Sequence, residues 1–123
     1  PWDGTRLHVA RIAGDVLSEP RVVAGGDAEA VMQPLWAPDG ALYFLSDADG
    51  FWNLHRWHAD RGVEAVTRLD ADLGGPLWQL GARSVALTGE GRALAIRTRH
   101  AIDALVSIDL GSGAGRELLA QPY

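Results

Sequence analysis

The sequence has no cysteine. That excludes a disulfide framework and any thiolate metal site, and it fits a reducing compartment. No apolar run approaches the ~20 residues of a membrane-spanning helix, and no signal peptide is visible, so a cytoplasmic location is expected. Cationic charge is also scarce. The Lys+Arg total is 11 against 16 for Asp+Glu, a formal net charge of −5, and the arginines are scattered singly with no Lys-rich block. That disfavours a general nucleic-acid or anionic-membrane role. Met32 is the single methionine and Pro1 opens the chain, so a processed chain, or one cut from a longer protein, is expected.

What the sequence does hold is globular. Hydrophobic residues make up 47% and charged residues 22% of 123 positions, which allows one domain with a modest core and disfavours disorder. Glycine is abundant, at 15 residues, and the glycines fall between apolar runs, as in a turn-rich β protein.

The stretch Gln33 to Trp57 shows this most clearly. Pro38-Asp39-Gly40 reads as a tight turn, with proline presetting φ and glycine taking positive φ. Leu42 to Leu45 has the composition of a buried strand. Asp47-Ala48-Asp49-Gly50 is a second turn. In the strand that follows, Trp52, Leu54 and Arg56 alternate with Asn53, His55 and Trp57. This is most of a four-stranded meander. Val63 to Leu69 is expected to supply its fourth strand.

Upstream, Thr5 to Ile12 and Arg21 to Ala24 read as strands, after a turn at Pro1-Trp2-Asp3-Gly4. Ala28 to Met32 is taken as a link, although it could form a helical turn. Downstream, Pro76-Leu77-Trp78 repeats Pro34-Leu35-Trp36 at a spacing of 42. Thr88-Gly89-Glu90-Gly91 matches the Pro38-Asp39-Gly40 corner. Ser84–Leu87, Ala93–Arg97, Ile102–Leu110 and Arg116–Ala120 are read as strands, with Leu110 on the face opposite Ile108, and Gln121-Pro122-Tyr123 runs off the end. A period of about 40–50 residues with four short strands marks a β-propeller. The expected fold is therefore all-β, about two and a half four-stranded antiparallel blades. Residues 1–27 would end one blade, 28–70 would form a full blade, and 71–123 would form the next. A ring needs about 4–8 blades, so this length would be part of a propeller or a subunit of one. Its open blade faces would favour self-association.

Pro34-Leu35-Trp36-Ala37-Pro38-Asp39-Gly40, Leu42-Tyr43-Phe44-Leu45-Ser46-Asp47 and Gly50-Phe51-Trp52-Asn53-Leu54 together resemble the propeller repeat of the prolyl oligopeptidase family of serine peptidases. The resemblance is to its dipeptidyl and acylaminoacyl peptidase-like bacterial members, with Ala37 standing where serine is usual. Pro1-Trp2-Asp3-Gly4-Thr5, Ala24-Gly25-Gly26, Gly75-Pro76-Leu77-Trp78-Gln79-Leu80-Gly81 and Gly91-Arg92-Ala93-Leu94 also fit. The resemblance implies a cap over an α/β-hydrolase domain that carries the Ser, Asp and His. This chain would then be a non-catalytic piece gating or positioning peptide substrates, with the rest of the propeller and the hydrolase domain as partners. TolB-like and other propellers share the Pro-Asp-Gly corner, so an interaction scaffold is the alternative, and a free-standing enzyme is a third, weaker option.

No catalytic, cofactor or metal residue is assigned. Ser112, in Gly111-Ser112-Gly113-Ala114-Gly115, comes nearest to a nucleophile elbow, but Leu110 stands where its first glycine should be. Arg116 breaks the dinucleotide-loop pattern of the same glycines. His55 and His58 are three apart on a strand and face opposite sides, so they read as partly exposed strand histidines. Asp47, Asp49 and Gly50 echo a calcium loop, but Phe51 replaces its third ligand, so they read as a turn. Trp2, Trp36, Trp52, Trp57 and Trp78 read mainly as inter-blade packing. Trp57 is the tryptophan expected to be most exposed.

Overall fold

A computed structural model describes residues 3–120. Pro1, Trp2 and the run Gln121-Pro122-Tyr123 lie outside them. Ten strands follow in order: β1 (Arg6–Ala13), β2 (Val16–Gly25), β3 (Val31–Trp36), β4 (Leu42–Ser46), β5 (Asn53–His58), β6 (Gly62–Ala65), β7 (Val85–Leu87), β8 (Arg92–Arg99), β9 (Ile102–Asp109) and β10 (Gly115–Ala120). There is no helix among the described residues, and hence none long and apolar enough to cross a membrane. The strands form three antiparallel sheets: the hairpin β1–β2, sheet β3-β4-β5-β6 and sheet β7-β8-β9-β10. Four-stranded meanders of this kind are the units of propeller blades.

Two predicted boundaries shift by four residues or more. The second strand begins at Val16, and the fourth strand of the meander ends at Ala65. Beyond Ala65 the chain leaves the ladder because side chains replace it. Asn53 Oδ1 accepts from the Thr67 hydroxyl at 2.8 Å and from the Leu69 amide at 2.9 Å. Thr67 Oγ1 accepts from the Leu54 amide at 2.9 Å. Both Asn53 and Thr67 are buried, and their polar groups satisfy each other and the departing backbone.

The repeat also differs from its predicted register. Leu42 pairs with Trp57 and Ala93 pairs with Ile108, so equivalent positions in the two sheets lie 51 residues apart. Pro34-Leu35-Trp36 belongs to β3, whereas Pro76-Leu77-Trp78 lies in no strand. The counterpart of β3 is β7. The match at 42 is defeated by a long linker: 5 residues separate β2 from β3, and 19 separate β6 from β7.

The sheets stack through their faces. Tyr43, Leu45, Leu54 and Leu73 meet Val85, Ala93, Ala95, Ala104, Val106 and Ile108 in one buried cluster. Large side chains on the first sheet sit against small ones on the second, so the layers interdigitate at close range. Leu110 joins this cluster on the side of Ile108, not the opposite face, because an even spacing along an extended chain keeps one face. The other face of the first sheet, with Val31, Leu42, Phe44 and Trp57, packs on Leu7, Val9, Val23 and Ala24 of the hairpin.

A polar clasp joins β3 to β7. Gln33 sits at a register shift between Met32 and Leu35, with a left-handed φ of 56°. Its side-chain Nε2 donates to Ser84 Oγ at 2.9 Å, and its Oε1 accepts from the Ser84 amide at 2.9 Å. The bulge re-aims the side chain toward the neighbouring sheet. An unusual φ at a non-glycine residue costs about 1–3 kcal/mol and persists where its surroundings hold it.

Candidate functional site: two ends and a crevice

The alternation of strands sorts every connection to one of two ends. The corners 37–41 and 88–91 and the turns 59–61 and 110–114 share one end, here the corner end. The turns 47–52 and 100–101 and both inter-sheet linkers share the other, the linker end.

At the corner end a crevice of about 340 Å³ opens between the two four-stranded sheets. Pro38 and Asp39 come from one corner, Gly89 and Gly91 from the other, and Tyr43, Arg56 and Leu110 form its deeper wall. Arg56 is partly buried there. It donates from Nε to Glu64 Oε1 at 3.0 Å and from a terminal nitrogen to the Leu110 carbonyl at 2.7 Å. Interaction with the Tyr43 side chain raises its pKa, partial burial opposes this, and Glu64 adds to the rise. The guanidinium thus stays charged and spans the sheets. The hydrogen bond from Arg56, and then its charge, hold the partly exposed Glu64 carboxyl below its usual range. Arg92, on the far wall, donates from Nε to Ser107 Oγ at 2.8 Å. Charged and hydroxyl groups in the crevice are thus tied to each other or to backbone.

The residues singled out from sequence are placed as follows. Ser112 caps a turn: its amide donates to Asp109 Oδ1 at 2.8 Å and its hydroxyl to the same oxygen at 3.1 Å. These bonds depress the Asp109 pKa, with the Ser112 amide contributing most. Asp47 Oδ1 accepts from the Ala30 amide at 2.7 Å, and its carbonyl accepts from the Gly50 amide at 2.9 Å. The Asp47–Gly50 segment is therefore a turn that also holds the entry to β3. His55 is buried, not partly exposed, and stacks on Phe44 with ring centroids 5.8 Å apart. His58 lies on the opposite face, and no group of three His, Cys, Asp or Glu residues converges on a metal-sized site among the described residues.

The tryptophans divide. Trp52 packs on the inter-sheet cluster. Trp57 is only 8% exposed, against the expectation that it would be the most exposed. The hairpin β1–β2 covers its face, and the Arg21 guanidinium lies 5.0 Å from its ring centroid. Trp36 meets Trp57 edge-on at 6.4 Å and is 59% exposed, and Trp78 is 78% exposed. Trp2 lies outside the described residues.

No protein-family model and no curated protein matches the chain. Solved structures do. A puromycin hydrolase matches with a TM-score of 0.85 and 34% identity over 94% of this chain and 18% of its own. A Mycobacterium tuberculosis puromycin-hydrolysing peptidase matches with a TM-score of 0.86 and 32% identity over 99% of this chain and 19% of its own. The chain thus spans less than a fifth of the length of either. Meander sheets, corner motifs and this likeness lead to one conclusion: over nearly its whole length the chain is similar to a β-propeller portion of puromycin-hydrolysing enzymes of the prolyl oligopeptidase family.

Proposed function

We propose that this chain is a non-catalytic segment of a peptidase propeller that gates or positions peptide substrates for an α/β-hydrolase domain elsewhere in the same protein. One observation carries the reading. Nearly the whole chain matches puromycin-hydrolysing enzymes at 32–34% identity, yet it spans less than a fifth of each. The hydroxyls and carboxylates described above support it, since they cap turns and clasp sheets instead of converging on a reacting atom. In this reading residues 1–27 end one blade, 28–70 form the next and 71–123 form a third unit, about two and a half blades in all. Absence of cysteine fits a cytoplasmic enzyme.

The test is an assay of this chain and of the complete gene product on chromogenic peptides and esters. The complete product hydrolyses them and this chain alone does not. Turnover by this chain that one point substitution abolishes would overturn the proposal, as would a gene product without a Gly-x-Ser-x-Gly hydrolase domain.

A further inference from the structure

The corner end is built twice, and its two copies are filled differently. On the hairpin side of the first sheet, indoles occupy it. Trp57 is buried, Trp36 meets it edge-on at 6.4 Å, and the Arg21 guanidinium of the hairpin lies 5.0 Å from the Trp57 ring centroid. Between the two four-stranded sheets the counterparts of Trp36 and Trp57, 51 residues on, are Leu87 and Ile108. Leu42 likewise becomes Ala93. Neither indole is present in this second copy, and Leu87 lines the crevice of about 340 Å³. That volume falls in the range of small-ligand pockets, about 300–1,000 Å³. The rim is open as well. Gly89 is the counterpart of Pro38, and a Cβ on Gly89 or Gly91 would meet nothing within 4 Å.

The polar groups suit a ring better than an ion. Arg56 donates from Nε to Glu64 and from a terminal nitrogen to the Leu110 carbonyl. A guanidinium hydrogen-bonds in its own plane, so these bonds fix its orientation without using its faces. A face held in this way is the one that stacks on an aromatic ring, as the Arg21 guanidinium does on Trp57. The bond to Leu110 also ties the second sheet to the first, which holds the crevice at its width. An added anion would compete with Glu64 for Arg56 and with Asp109, 3.7 Å from Arg92. A metal cation would meet two guanidiniums and one carboxylate, Asp39, and be repelled. The arrangement is not general to the repeat. The counterparts of Tyr43 and Arg56 are Leu94 and Ser107, so the open face of the second sheet does not carry it.

We propose that the crevice binds a neutral aromatic ring of indole or phenol size, which takes the place of the missing tryptophans and stacks on the Arg56 guanidinium. The test is calorimetric titration of the complete gene product with indole and with N-acetyltryptophanamide. The catalytic serine is first blocked with a fluorophosphonate, so that a hydrolase site contributes nothing. Binding is expected, with N-acetylleucinamide weaker by about tenfold or more, because an aliphatic chain offers no face to the guanidinium. Binding of indole alone assigns the site to free aryl compounds, and binding of both admits an aromatic peptide side chain. Leu87→Trp restores the indole of the first copy. It should lower affinity by about tenfold or more and leave the unfolding temperature unchanged or raised. Equal binding of the leucine compound, or unaltered affinity in Leu87→Trp, would overturn the proposal. Should Leu87→Trp fail to fold, a diazirine-bearing indole on the wild-type protein decides. Its label should fall on residues 37–43, 87–92 or 110–111, and label confined to other segments would overturn the site. A gene product without a hydrolase domain would defeat the function proposed above and leave this test as it stands, since both walls of the crevice belong to this chain.

Discussion

Sheet β3–β6 and sheet β7–β10 have the same strand order and equivalent positions 51 residues apart, but opposite surroundings. The first is covered on both faces, by the hairpin and by the second sheet. The second is covered on one. Leu45 is 0% exposed and its counterpart Ile96 is 41% exposed. The covered sheet carries bulky side chains on both faces, and the partly open one turns alanines and valines inward. Sequence repeats therefore set the strands, and the neighbours decide what each face has to be.

That comparison can be broken most severely at two glycines. Gly62 and Gly113 are counterparts with φ of 74° and 76°. A Cβ at Gly62 meets nothing, whereas one at Gly113 would collide with the carbonyl oxygen of Val66, just beyond β6. Gly113→Ala should cost about 4 kcal/mol, combining left-handed strain with a forced separation of the sheets, and Gly62→Ala about 1 kcal/mol. Urea unfolding of the two variants measures the difference, and equal losses would mean that the sheets do not meet there.

Next in size is the pair Leu45 and Ile96. Leu45→Ala should cost about 3 kcal/mol, as a cavity in a closed layer does, and Ile96→Ala below about 1 kcal/mol. If Ile96→Ala proves as costly, the open face is covered in solution by another copy. In that case light scattering on the wild-type chain should show an assembly, and a monomer would leave the high cost of Ile96→Ala to packing within the chain. Asn53→Ala should cost about 2 kcal/mol, since it strands the Thr67 hydroxyl and the Leu69 amide, and its counterpart Ala104 has no such network to lose.

The smallest effect is a pH response. Glu64 and Asp109 both have folded pKa values below the ordinary carboxyl values of 4.5 and 3.8. A depressed carboxyl stabilises the fold above its unfolded pKa and loses that contribution as pH falls through the folded value. Stability should therefore drop as pH falls below about 4.5. Asp109→Asn should flatten the lower part of that drop, and an unchanged acid limb would show that the turn bonds do not favour ionised Asp109.

The corners and strands were legible because proline, aspartate and glycine act locally, on their own turn. The burial of Trp57 was not. A strand covered on both faces has no apolar period to read, so alternation assigned one side to water when both were covered. Pro76-Leu77-Trp78 misled for a related reason: three residues can repeat while a long linker shifts the frame. The crevice was invisible because Tyr43, Arg56 and Leu110 converge only once the sheets stack. Arg56 looked like one more strand residue, and nothing local marked it as the group that reaches the neighbouring sheet.

The Gln33–Ser84 clasp joins two positions that are equivalent in the repeat, yet the two residues differ in reach. Glutamine extends across the gap, and serine, already spending its hydroxyl on Leu73, has no comparable arm to extend to a following sheet. The stack consequently has a direction. Exchanging the two sheet units by circular permutation, or duplicating the second to lengthen the array, would place serine where glutamine must reach. Such chains would keep every strand and every corner and still lack the link that tells one unit which neighbour comes next.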